Sequence, residues 1–143
     1  MSISESKPIV LYDGVCGLCN RLVQFLLKRD TNDRFRFASL QSEFANKLLR
    51  HHGADPHDLD TVYAVKDYGQ AQESLLARSD AVLDMLKELG GVWKLAAGVG
   101  RIFPKPLRDR AYKMVARNRY RVFGKYDSCM LPDPKDRAKF LDV

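Results

Sequence analysis

No window of this chain approaches the roughly 18 consecutive apolar residues that a transmembrane helix requires, so no membrane span is expected. The segment Met1-Ser2-Ile3-Ser4-Glu5-Ser6-Lys7 has no apolar run of the kind a secretory signal needs, which makes a cytoplasmic location the expectation. Cysteine is scarce, with three among 143 residues, and an odd number with two of them three apart does not suit a structural disulfide framework. It suits a redox or metal pair in a reducing compartment. Internal repeats and low-complexity tracts are also missing, and the apolar content of 45% is enough for one packed core. One domain spanning 1–143 is the simplest reading, with a core over 8–91 and a basic helical extension over 92–143.

The basicity is concentrated. Between Lys94 and Lys125 there are ten Lys or Arg and a single acid, Asp109, although the net charge of the whole chain is only +6. Arg117, Arg119 and Arg121 lie two apart and so point in different directions around a helix. Arg119 lies four residues from both Val115 and Phe123, on the flank of an apolar stripe, where it could turn inward and stabilise a thiolate. A solvated basic face or a polyanion contact are the other readings of the segment.

The chain is organised around Tyr12-Asp13-Gly14-Val15-Cys16-Gly17-Leu18-Cys19. Ile9-Val10-Leu11-Tyr12 reads as a strand buried on both faces. From Leu18 apolar residues recur at Leu22, Phe25 and Leu26, so a helix begins at or beside the cysteines and runs to about Arg29. The first turn of a helix offers free N–H groups and the positive end of the macrodipole, and both favour a thiolate. Cys16, ahead of the helix, is expected to face solvent, and Cys19, one turn on, to be buried and to act second. Asp13 has two readings: a buried acid of raised pKa that takes the Cys19 proton, or an Asx-turn closing Asp13-Gly14.

Further on, strands are expected at Arg34–Ala38, with Phe35 and Phe37 on one face, at Thr61–Val65 and at Ala71–Ala77, the last two forming a hairpin. Helices are expected from Gln41 to His52 and from Asp80 to Leu89, the second capped by Ser79. The order β-α-β-α-β-β-α implies a parallel crossover among the first strands, then an antiparallel strand, and so an α/β mixed four-stranded sheet with helices on both faces. Val92–Phe103 reads as helical. After Pro104-Lys105-Pro106, a second helix carries the stripe Leu107, Ala111, Met114, Val115, Asn118 and Val122. Cys129 falls in an irregular stretch, read as a buried thiol or a third redox partner, and a short helix near Lys135–Leu141 closes the chain.

Asp13-X-X-Cys16-X-X-Cys19 at the end of a first strand resembles the DCC family of thiol-disulfide oxidoreductases. The similarity extends to Arg29-Asp30, Gln41-Ser42, Arg78-Ser79-Asp80-Ala81, Ala116-Arg117-Asn118-Arg119-Tyr120, Phe123-Gly124 and Cys129. It implies a thioredoxin-like fold and dithiol/disulfide exchange, Cys16 attacking and Cys19 resolving, with Asp13 and Arg119 tuning their ionisation. The expected substrate is a disulfide-bearing protein or a small thiol, recycled by a reductant thiol, without bound cofactor or metal; nucleic acid is not the expected partner. Thioredoxin-like oxidoreductases usually carry a proline just before the third strand, where this chain has Leu59-Asp60-Thr61-Val62. The alternatives are a binding module that uses the basic helix, and a zinc site completed by Cys129 and one of His51, His52 or His57.

Overall fold

The computed structural model describes residues 7–30, 33–125 and 134–141. Its elements run β1 (Ile9–Tyr12), α1 (Gly17–Arg29), β2 (Arg36–Ser39), α2 (Glu43–His51), β3 (Tyr63–Lys66), β4 (Ser74–Ala77), α3 (Arg78–Leu89), α4 (Gly91–Arg101) and α5 (Lys105–Phe123), followed by a 3-10 turn at Pro134–Lys139. The four strands form one sheet in the order β2-β1-β3-β4. β1 and β2 are parallel, joined by the α1 crossover, whereas β3 runs antiparallel to β1 and pairs with β4 as a hairpin. The parallel relation expected among the first strands therefore holds for β1 and β2 alone. This is the mixed, two-sided sheet of a thioredoxin-like α/β fold.

Strand alternation divides the core into two layers. Val10, Tyr12, Phe35, Phe37, Val62 and Ala64 face α1 and α3, meeting Val23, Leu26, Ala81 and Met85. Ile9, Leu11, Ala38, Tyr63 and Val65 face α2, meeting Ala45, Leu48 and Leu49. All four residues of β1 are buried, as a central strand covered on both sides must be. Ser42 caps α2 by accepting the Ala45 N–H at 3.1 Å.

One expectation fails at α3, and α5 turns its Arg119 flank inward. Ser79 is not the α3 cap: the helix begins at Arg78 with Ala77 in the cap position and no side-chain bond there. The Ser79 hydroxyl instead donates to Asp109 of α5 and accepts from Arg108 at 3.2 Å, tying the two helices together. On α5 the stripe Leu107, Met114, Val115 and Val122 is more than half exposed. The helix turns its other face inward, burying Ala116 and Arg119. Tyr112 belongs to that inward face, partly buried against the core. Ion pairs and hydrogen bonds, not the longest apolar stripe, orient this helix.

Candidate active site

The turn that carries the thiols is fixed by hydrogen bonds to every element around it. Cys16 N–H donates to the Asp13 carbonyl at 3.1 Å. Val15 N–H donates to Asp13 Oδ1 at 3.2 Å, the Asx-turn expected of an Asp-Gly pair. Gln41, from the loop after β2, accepts from Gly14 N–H at 2.9 Å and donates to Asp13 Oδ1 at 2.7 Å. Asn20 donates from α1 to the carbonyls of Gly14 and Cys16, both at 2.9 Å. Cys16 is the N-cap of α1, and its Sγ accepts the Cys19 N–H at 3.4 Å, the place an oxygen takes in most caps.

Asp13 is 1% exposed and meets Arg119, 106 positions away in the chain. Arg119 Nη2 donates to Asp13 Oδ2 at 2.9 Å and to the Leu59 carbonyl at 2.9 Å, while Nη1 donates to Asp60 Oδ1 at 2.6 Å. The Tyr120 hydroxyl donates to the same Asp13 oxygen. Burial alone would push the Asp13 carboxyl up, but the bonds from Tyr120, Arg119, Gln41 and Val15 outweigh it and hold the pKa below the usual carboxylate range. The reading of Asp13 as an acid of raised pKa therefore fails. A carboxylate held below its usual range is a poor proton acceptor; here it binds Arg119 and closes the turn through Val15 N–H.

The thiols split in ionisation. The bond from Cys19 brings the Cys16 pKa down to about 6 against the penalty of burial, with the Arg119 charge adding to the effect. Cys19 moves the opposite way, because it donates to Cys16, is desolvated and faces the Cys16 charge. Of the two thiols, Cys16 is the one that gives up its proton more readily.

Access runs against the expectation. Cys16 is 0% exposed, whereas Cys19 is only partly buried. The end of α5 covers Cys16: Gly17 N–H donates to the Gly124 carbonyl at 3.0 Å, and Lys125 forms an antiparallel bridge with Cys16. A Cβ on Gly17 would lie 2.0 Å from the Phe123 carbonyl oxygen, so only glycine fits between the cysteines at this position. A glycine placed in the first turn of a helix was the available sign of that close approach. Cys19 lines an open, largely apolar groove of about 490 Å3. Leu18, Leu22, Val82, Phe103 and Val115 supply apolar wall, and Ser79 and Arg119 border it. Ser79 thus sits on the thiol groove.

Before β3, where thioredoxin-like oxidoreductases usually have a proline, the backbone is occupied internally. The Tyr112 hydroxyl accepts the Val62 N–H at 2.7 Å and donates to the Asp60 carbonyl at 3.3 Å. Burial pushes the Tyr112 pKa up to about 12, keeping its proton in place. Tyr112 was not foreseen as part of the site, whereas Gln41 and Tyr120 had stood out only as motif positions. Among the described residues no histidine joins the cysteine pair; the one cluster with metal-ligand spacing is His51, His52 and Glu73. Cys129 lies outside the described residues.

Comparison with known proteins finds relatives over most of the chain. The uncharacterized protein YuxK of Bacillus subtilis is 40% identical over 140 residues, covering 96% of this chain and 98% of its own length. A chloroplastic DCC family protein of Arabidopsis thaliana is 39% identical over 127 residues, covering 89% of this chain and 71% of that protein. No solved structure matches the chain significantly. No helix among the described residues is long and apolar enough to cross a membrane. Residues 10–125, which run from β1 to the lid over Cys16, match the family described as DCC1-like thiol-disulfide oxidoreductase, and the chain belongs to that family.

Proposed function

We propose that this protein is a cytoplasmic enzyme that exchanges disulfides through Cys16 and Cys19. The observation that carries the reading is the place of Cys16 at the N-cap of α1, where its Sγ accepts the Cys19 N–H at 3.4 Å, a setting that favours its thiolate and lowers its pKa to about 6. The Cys16 thiolate attacks one sulfur of a substrate disulfide, the substrate S–S bond breaks, and one substrate thiolate leaves. In the mixed disulfide Cys16 no longer carries charge. The two strongest influences of Cys16 on Cys19, its hydrogen bond and its charge, disappear together, so Cys19 gives up its proton more readily. The departing substrate thiolate can take that proton. Cys19 then attacks Cys16 Sγ, the second substrate sulfur leaves, and two electrons have passed to the substrate. A thiol reductant reverses the Cys16–Cys19 disulfide.

Arg119 is a positioning residue that also contributes positive charge. Its Nε is the one buried side-chain nitrogen or oxygen without a hydrogen-bond partner among the described residues, a spare donor beside the groove. The apolar groove favours substrates that bring aliphatic or aromatic surface to the disulfide.

A second reading assigns attack to Cys19, because it and not Cys16 lines the groove. Trapping separates the two. With a small aromatic disulfide as probe, Cys19→Ser should accumulate a stable mixed disulfide on Cys16, found by mass spectrometry, and Cys16→Ser should accumulate none. A stable adduct on Cys19 in the Cys16→Ser protein reverses the roles. Absence of an adduct in both variants, with no Cys16–Cys19 disulfide in glutathione buffers, removes exchange altogether.

A further inference from the structure

Helices α4 and α5 invert the usual rule that an amphipathic helix turns its apolar stripe inward. Among the described residues, nine of the eleven exposed large hydrophobic side chains lie between Val92 and Val122. On α4 and the turn after it, Val92, Leu95, Val99 and Ile102 recur at helical spacing and are 52% to 78% exposed. On α5, Leu107, Met114, Val115 and Val122 share one stripe and are 51% to 68% exposed. The groove beside Cys19 runs between the end of α4 and α5, with Gly100 and Phe103 on one side and Ala111 and Val115 of the α5 stripe on the other. Isolated exposed apolar residues are ordinary; such a concentration on two consecutive helices that both pack on α3 marks an interaction surface.

The charge lies in the same segment. Lys105, Arg108 and Arg119 are paired with Asp80, Asp109, Asp13 or Asp60. Lys94, Arg101, Arg110, Lys113, Arg117 and Arg121 make no ion pair among the described residues, and all six are exposed. By helical spacing, Arg110, Lys113, Arg117 and Arg121 run along one flank of the α5 apolar stripe. Aliphatic side chains beside a row of free cations are the composition of a helix that lies in a lipid–water interface.

We propose that the α4–α5 face docks on the surface of an anionic lipid bilayer. The aliphatic side chains enter the boundary between headgroups and acyl chains, and the free guanidinium and ammonium groups meet lipid phosphates. A nucleic acid would use the cations but leave Leu95, Val99 and Ile102 in water, because its recognition rests on phosphate contacts and aromatic stacking. A second copy of the chain would bring two basic faces together, which repel. The docking stands whether or not the thiols exchange. Where both hold, the Cys19 groove opens beside the lipid, and the substrates are apolar or membrane-associated disulfides.

The test is partitioning of the full-length protein onto vesicles, read by co-sedimentation. Binding is expected to vesicles of phosphatidylcholine mixed with phosphatidylglycerol, to be weak on phosphatidylcholine alone, and to fall as salt shortens the screening length from about 10 Å at 0.1 M to about 3 Å at 1 M. Replacing Arg110, Lys113 and Arg117 together by Gln should lower partitioning roughly 100-fold, about fivefold for each charge. Leu95→Gln, Val99→Gln and Ile102→Gln together should abolish it, and both triple variants should melt as the parent does, because the replaced side chains are exposed and Gln is a good helix former. Equal binding to both lipids, binding to neither, or triple variants that bind like the parent would overturn the proposal. So would a dimer in sedimentation velocity that the aliphatic triple variant disperses, or tighter binding to a single-stranded oligonucleotide than to the vesicles.

Discussion

The β-α-β core and the C-terminal helices handle the same side-chain chemistry in opposite ways. In the core, large apolar side chains are inside: Phe35, Phe37, Leu26 and Leu49 are fully buried, and the few buried acids, Asp13 among them, are hydrogen-bonded. In α5 the longest apolar stripe faces water, while the buried face carries Arg119. Arg119 is there because Asp13 is there: two charges removed from water need each other, and the Asp60 side chain with the Leu59 and Ala116 carbonyls completes the set. The core is held by area removed from water. The extension packs on the core through Ala97, Trp93 and Tyr112 and is tied to the thiol turn by directed polar contacts, while much of its apolar surface stays exposed.

The largest effect that can break this comparison is removal of Arg119. Arg119→Met should cost about 3–5 kcal/mol in urea unfolding, because it leaves the Asp13 carboxylate buried without its cation. Pairing it with Asp13→Asn should recover part of that loss. If Arg119→Met unfolds like the parent, the extension is not held by this pair.

Glycines sharpen the contrast next. Gly17→Ala drives a methyl into the Phe123 carbonyl and should cost about 1–3 kcal/mol while speeding alkylation of Cys16, since the chain over it must lift. Gly98→Ala, on exposed α4 with nothing near its added methyl, should stabilise by about 0.5–1 kcal/mol. Equal effects at the two sites would mean that α5 does not close over Cys16.

The last comparison is in pH dependence. The Cys16 pKa is lower folded than unfolded, so its thiolate stabilises the fold at pH above the unfolded thiol value of about 8.5, and the contribution is lost as pH falls through about 6. The reduced parent should therefore gain stability relative to Cys16→Ala as pH rises from 6 to 8.5, measured by parallel urea titrations. A difference that stays flat over this range would show that Cys16 titrates as an ordinary thiol.

Much of this architecture was legible along the chain, and the misreadings share a cause. The strands around Val10, Phe37, Ala64 and Leu76 follow from β-branched and alternating runs, and the helix beginning at the cysteines follows from the Leu22, Phe25 and Leu26 spacing. These signals are local, and burial of apolar area rewards them wherever they occur. The α5 stripe was legible too, but not the direction it faces, since a helical period describes two faces and says nothing of which one meets the core. Ser79 looked like a cap because capping is a local habit of serine; its bond to Asp109 crosses 30 residues.

By itself the sequence determined the motif, the order of elements, the mixed sheet and the helix N-terminus that makes a thiolate favourable. Tertiary structure alone decided which thiol is reachable, that Asp13 keeps its charge, and that Gly17 must lack a side chain. Each of those depends on Arg119, Tyr120, Phe123 and Gly124 arriving from the far end of the chain. Electrostatic and steric effects act over a few ångströms in space, whatever the distance along the sequence.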